Sequence, residues 1–248
     1  MNLIVNKFKN YFKYTFFHYL ILRFTNPNYI KWLQKEYLFH KKFLCNENLI
    51  FDLGANHGDK TYIFNKFSKK VVCFEPESKM FFILKNRFNR KKIILKKKII
   101  SNKIENSKFL VVRGNEAYST INKKSLDQFN HINKKNIITK IVRSSTLNNE
   151  IQLLGIPDYI KIDCEGAEKK ILYNLKHKIR IISFELNLPY FYKDGKTIIK
   201  YFTKTFNSKF NIRVQDSFVF KFKKNINGDK CTNFLKNKKS SVEIFVFN

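Results

Sequence analysis

From residue 48 onward the chain alternates apolar runs of strand length with amphipathic stretches, and that order leaves few folds open. The run 48–53, NLIFDL, leads through a Gly-bearing turn into a helix expected at about 59–67. A second run, 70–75, is closed by Pro76, after which Ser78 can cap a helix whose apolar face uses Met80, Phe81, Leu84 and Phe88. Strands are expected at 93–100 and 109–112, followed by a polar, weakly patterned insertion at 121–141. The alternation resumes with 158–163, a helix at 166–175, a strand at 180–186 and a helix from about 196 to 206. Two closing strands, 210–222 and 242–247, flank a turn-like stretch at 225–229. Repeated strand–helix–strand units need crossover helices, so the pattern predicts a three-layer α/β fold: a mostly parallel sheet with an antiparallel finish.

The chemistry gathers where these strands end. In 51–58, FDLGANHG, the strand ends at Asp52, and Gly54 and Gly58 let the backbone come close to a ligand before the next helix. The spacing is G-x-x-x-G, which differs from the dinucleotide fingerprint G-x-G-x-x-G, and no P-loop G-K-[ST] occurs. Glu75, 21 residues after Gly54, ends the next strand where this topology sets a carboxylate on ribose hydroxyls. Together they describe a nucleoside site without a phosphate cradle.

At this point the sequence resembles the FkbM family of S-adenosylmethionine (AdoMet)-dependent methyltransferases. The resemblance rests on FDLGANHG at 51–58, VVCFEP at 71–76, STLNNEI at 145–151, DYIKIDCEGAEKKIL at 158–172 and IISFELN at 181–187. It implies the seven-stranded class I, Rossmann-like methyltransferase fold with AdoMet over the carboxyl ends of the first strands. Carried onto these positions, Asp52, Gly54, Ala55, Asn56 and Gly58 hold the methionine end, Glu75 the ribose, and Ser101 and Asn102 lie near adenine. His57 stands where the family more often has an apolar or small residue and receives no role.

The block 163–168, DCEGAE, follows the strand at 158–163 on the rim where open α/β sheets bind ligands. Asp163 is therefore the first candidate to face the methyl acceptor. Helix capping competes for it, because Asp163, Glu165 and Glu168 all precede or open the next helix. Glu185 and Asn187 end the neighbouring strand and belong beside Asp163; Asp163 and Glu185 are the candidate bases. Glu165, Glu168, Asn187 and Tyr118 are candidate acceptor contacts, with 116–120 and the aromatic segment 189–192 as pocket walls. Acids on adjacent strand ends can bind Mg²⁺, although nothing here demands a metal. Asn187-Leu-Pro-Tyr190 has the look of the N-P-P-Y motif of adenine amino-methyltransferases, but Leu188 replaces the first proline and the segment follows the wrong strand.

Composition bears on partners and compartment. Lys and Arg number 49 against 19 Asp and Glu, a net +30 that favours polyanions. The lysine clusters are spread along the chain, which suits a composition-wide bias better than a nucleic-acid footprint. Only 7 Gly and 4 Pro occur in a chain rich in Lys, Asn, Ile and Phe, and Gly54, Gly58, Gly166 and Pro76 fall in the motif blocks, which marks those blocks as resistant to that bias. Cys45, Cys73, Cys164 and Cys231 form no ligand spacing, and Cys73 and Cys164 fall in runs that read as buried strands, which fits a reducing cytoplasm. Residues 1–44 read as an N-terminal helical extension to a domain at 45–248. Lys7, Lys9 and Lys13 precede the apolar run 14–22, which Arg23 ends far short of the ~20 residues that span a bilayer. A cap on the domain and an interfacial helix at the inner face of an anionic membrane both fit. The expected function is O-methylation of a small molecule or glycan, as in surface polysaccharide biosynthesis. A nucleic-acid methyltransferase and a membrane-surface binding protein with a vestigial AdoMet pocket are the alternatives; the sequence leaves oligomeric state open.

Overall fold

The computed structural model describes residues 25–88, 91–127, 133–215 and 217–248. Most of the N-terminal extension, with its basic and apolar run, lies outside them. The first described helix, α1 (Pro27–His40), is capped by Asn26, whose side chain accepts the Tyr29 N–H. There follow β1 (Glu47–Leu53), α2 (Asp59–Phe64), β2 (Ser68–Phe74), α3 (Ser78–Arg87) and β3 (Ile93–Lys96). Next come β4 (Ile99–Ser101), β5 (Asn106–Val112), α4 (Lys123–Asp127), β6 (Ile137–Thr146) and α5 (Leu147–Leu154). The chain continues through β7 (Tyr159–Ile162), α6 (Glu168–Leu172), β8 (Ile181–Leu186), α7 (Tyr192–Phe206), β9 (Lys209–Val214), α8 (Gly228–Leu235) and β10 (Val242–Phe247).

Seven strands form one sheet in the order β3-β2-β1-β7-β8-β10-β9. β10 runs antiparallel to β8 and β9, while the other pairs are parallel. Alternation along β1 divides its side chains between two layers. Leu49, Phe51 and Leu53 join Ile160, Ile182 and Phe184 in one apolar cluster, and Ile50 joins Tyr159, Ile181 and Phe245 in the other. α1 closes the second layer with Leu33 and Phe39. Strand order reverses beside β1: the chain moves outward to β2 and β3 and returns to β7 on the opposite side. Such a switch point opens a crevice at the carboxyl ends of the strands. The architecture is the class I, Rossmann-like methyltransferase fold, as the alternation and the motif blocks led one to expect.

Several boundaries differ from expectation. The run 93–100 is two strands, because β4 leaves the main sheet and pairs parallel with β6. β6 occupies much of the supposed insertion and pairs antiparallel with β5, giving a second, three-stranded sheet β4-β6-β5. Its alternating exposure puts Thr139, Ile141 and Arg143 in solvent, which gave the segment its polar, weakly patterned look. Glu77, rather than Ser78, caps α3: its carboxylate accepts the N–H groups of Lys79 and Met80. The closing strand expected to reach 222 ends at Val214, and the turn at 225–229 opens into α8, with Asn227 as its cap. α6 is shorter than expected and α7 starts four residues earlier, at Tyr192 rather than 196. Cys164 lies in the loop after β7 rather than within it. No helix among the described residues is long and apolar enough to cross a membrane.

Candidate functional site

A cleft of about 830 Å³, its open mouth included, lies over the carboxyl ends of β1, β2 and β7. Leu53, Gly54, Asp163, Cys164, Glu165 and Ala167 form its floor. Phe74, Glu75, Pro76 and Met80 make one side, and Lys98, Ile99, Ile100, Phe109, Ser119, Thr120 and Ile121 make the other. The second sheet thus supplies a wall that the main sheet lacks.

Gly54 holds the two strand-end loops against each other. Its φ is +74°, and a Cβ there would stand 1.8 Å from the Asp163 carbonyl oxygen, so no larger residue fits without moving the floor. Gly58 is also left-handed, but an added Cβ would strike the Phe88 ring at 2.4 Å; its smallness seats α3. Asn56 has φ +50° and donates its N–H to Glu75 Oε2 at 2.7 Å. The Glu77 N–H reaches the other oxygen of Glu75 at 2.8 Å. Burial nevertheless pushes the Glu75 carboxyl up to about 7. Asp52 faces the layer beneath the loop, where Thr61 Oγ1 donates to it at 2.6 Å; burial pushes it up to about 6. Lys98 on the wall is committed to the buried Glu150 of α5 at 2.8 Å.

The acidic floor gathers around the end of β7. Asp163 lines the cleft, and its Oδ2 takes Lys161 Nζ at 3.1 Å. It does not cap α6, whose N-cap is Ala167 with no side-chain bond. Glu165 sits at φ +48°, and its carboxyl is pushed up to about 9 by burial and by the charges of Asp163, Glu185 and Glu168. Glu168 accepts the Cys164 N–H at 3.0 Å and is pushed up to about 8, chiefly by burial. Glu185 is pushed up to about 7, first by the Asp163 charge and then by burial. Asn187 Nδ2 lies 3.4 Å from Glu165 Oε2, and the Ser241 hydroxyl donates to Asn187 Oδ1. Among the described residues no three His, Cys, Asp or Glu side chains are grouped so as to hold a metal ion.

Of the residues singled out in the sequence, Gly54, Asn56, Glu75, Asp163 and Glu165 meet in the cleft wall. Asp52, Ala55, Gly58, Ser101, Asn102, Tyr118, Glu168, Glu185 and Asn187 are not part of that wall. Ser101 belongs to β4 and pairs with Thr146 in the second sheet. His57 pairs with Asp59 at 2.9 Å. The segment between β5 and α4 is tied onto the rim: Thr120 Oγ1 donates to Glu165 O at 2.8 Å and Asn122 Nδ2 to Gly166 O at 2.7 Å. Lys79 and Glu116 join the same segment to α3 at 2.7 Å. The sequence motifs pointed to 116–120 but not to Ile121 and Phe109, which line the cleft, or to Asn122, which ties the segment to the rim; none of the three carries a motif.

Comparison with known proteins bears on this arrangement. No curated protein sequence matches the chain. The crystal structure of methyltransferase FkbM from Methylobacillus flagellatus KT aligns over 82% of this chain with a TM-score of 0.50 at 12% identity. This chain spans 44% of the length of that protein. Precorrin-6y C5,15-methyltransferase from Geobacter metallireducens GS-15 aligns over 86% of this chain and 88% of its own, with a TM-score of 0.45 and 8% identity. The plantazolicin methyltransferase BpumL, solved with a monoazolic desmethylPZN analog and SAH, aligns over 90% and 86%, with a TM-score of 0.44 and 12% identity. The family model for the methyltransferase FkbM domain matches residues 52–230, from the end of β1 into α8. With that match covering well over half of its 248 residues, the chain belongs to the FkbM methyltransferase-domain family.

Proposed function

We propose that the protein is an AdoMet-dependent O-methyltransferase that methylates a hydroxyl of a small molecule or glycan in the building of surface polysaccharide. The observation that carries this reading is that one cleft holds both a nucleoside-type carboxylate, Glu75, and a separate acidic floor around Asp163. The residues present suit AdoMet. Each Glu75 oxygen spends one lone pair on a backbone N–H, which leaves the others for ribose hydroxyls. Met80, Ile99, Ile100 and Phe109 offer an apolar slot for a purine. The wall's one lysine is neutralised by Glu150, and AdoMet carries no phosphate that would need it. The sulfonium and ammonium of the methionine end match the Asp163 carboxylate on the floor. In this reading Asp52, Ala55 and Gly58 support the loop from behind, and Ser101 and Asn102 follow directly on Ile99 and Ile100 of the cleft wall.

Bound AdoMet would supply a methyl group already made electrophilic by its sulfonium and would leave as a neutral thioether. The protein must align the acceptor, and such positioning supplies about 7–11 kcal/mol. Gly54, Asn56 and Glu75 would hold AdoMet, which would supply the methyl group and keep the departing electron pair on its sulfur, while Asp163 would take the proton of the acceptor hydroxyl. A positioned base of this kind adds about 10²–10⁴-fold. Glu165, held protonated by burial and its acidic neighbours, is a hydrogen-bond donor to an acceptor oxygen. Among the described residues Lys98 is the one basic side chain lining the cleft, and it is spent on Glu150, which weighs against a nucleic-acid acceptor despite the net charge of +30. Mass spectrometry of glycans and metabolites from cells with and without the protein tests the reading. One saccharide or small alcohol should lose a methyl-sized mass; a change confined to RNA or DNA would contradict it.

A further inference from the structure

Lys161 lies on β7, 3% exposed, level with Asp52 of β1 and Ser183 of β8. A buried ammonium is costly unless its charge and protons find partners. Its Nζ lies 3.1 Å from Asp163 Oδ2 and 3.4 Å from the Ile162 carbonyl. Glu243 on β10 does not need it: Arg213 Nη2 stands 2.6 Å from Glu243 Oε2, and Ser183 Oγ donates to Oε1 at 2.8 Å. Asp52 is already bonded to Thr61. Above Lys161 stand Asp163, Glu165, Glu168 and Glu185, and among the described residues the Lys161–Asp163 bond is the one ion pair made by any of them.

The geometry points to Lys161 as a positioning residue for methyl transfer, which pins Asp163 through Oδ2, leaves Oδ1 for the acceptor hydroxyl, and keeps Asp163 the proton acceptor of its acidic group. This rests on the reading of Asp163 as the base. Neighbouring carboxylates without a cation share protons, and whichever is protonated can no longer serve as base. Lys161 breaks that symmetry because it touches one acid alone. Its charge also favours ionisation of Glu185, against the opposing charges of Asp163 and Glu243. Asp52, Glu165, Glu243, Tyr159 and Cys164 also feel its charge.

Carboxyl ¹³C NMR of the Glu185 side chain tests the assignment without an acceptor. In Lys161→Met the Glu185 titration should lose its single midpoint and spread over two steps as Asp163 comes to share its proton; in Asp163→Asn it should move downward as one step. Lys161→Arg should restore the wild-type midpoint. Calorimetry on the same samples should find AdoMet affinity within about threefold of wild type, since Lys161 is not in the cleft wall. A folded Lys161→Met protein whose Glu185 still titrates in one step would overturn the proposal. Should Lys161→Met fail to fold, the Lys161 ammonium ¹⁵N–¹H signal decides: its protection from exchange should be lost in Asp163→Asn, and persistence would overturn the proposal. Loss of AdoMet binding by the wild-type protein would overturn the methyltransferase reading and leave the Glu185 result standing.

Discussion

Glu75 is where sequence spacing and structure agree most closely at the scale of one residue. Its position 21 residues after Gly54 made it legible, because a strand, a turn, a helix and a second strand need about that length. The two backbone donors that aim it were not legible, since Asn56 and Glu77 donate through main-chain atoms that any residue has. A diol binds the ionised carboxylate, and burial raises this carboxyl to about 7. AdoMet affinity should therefore be flat above pH 7 and fall toward tenfold per unit below it. Glu75→Gln should weaken binding by about 10- to 100-fold, the scale of one or two hydrogen bonds to a charged group, and remove that slope. Isothermal titration between pH 5.5 and 8.5 measures both; a slope that persists in Glu75→Gln would assign it to another group. Asp163 illustrates the opposite case. It stands directly after β7, as its place in the sequence led one to expect, and the capping role that competed for it falls away because α6 takes Ala167 as N-cap with no side-chain bond.

At the scale of elements, the main sheet could be read from the sequence and the second sheet could not. Strands buried on both faces, such as β7 with all four residues buried, leave continuous apolar runs. β6 is half exposed, so Thr139, Lys140 and Arg143 interrupt its apolar residues and the run dissolves into the lysine-rich background. What that sheet does is carry the segment from Gly114 to Asp127 to the rim, where Thr120 and Asn122 hold the carbonyls of Glu165 and Gly166. Removing these two side chains frees the wall without touching the main sheet. In a Thr120→Ala, Asn122→Ala double variant, amide exchange should rise at 113–127 and 164–167 but not in β1, β2 or β7. AdoMet affinity should drop about three- to tenfold. Unchanged exchange at 113–127 would mean that the second sheet alone fixes the wall.

For the whole molecule, the distribution of its few acids matters more than the surplus of bases. Asp52, Glu75, Asp163, Glu165, Glu168 and Glu185 cluster at strand ends, six of 19 acids in a chain of net charge +30. Three that are well buried, Asp52, Glu75 and Glu168, have carboxyls raised to about 6, 7 and 8. A raised acid keeps a proton in the folded state that the unfolded chain has already released. Its contribution is fully present below the unfolded value near 4 and is lost as pH climbs through the folded value. His40, lowered to about 4 by burial, acts in the other direction only below pH 6.5. The melting temperature of the ligand-free protein should therefore fall steadily from pH 6.5 to 8.5, as followed by differential scanning calorimetry. A flat or rising profile would mean that these acids are not held protonated by the fold.

The central claim is that the cleft over β1, β2 and β7 binds AdoMet through Glu75, and calorimetric titration of AdoMet into the intact protein and into Glu75→Ala tests it most directly. The account predicts one site per chain in the wild-type protein and loss of measurable binding in a folded Glu75→Ala variant. Absence of binding by the intact protein, or equal affinity in both, would contradict it.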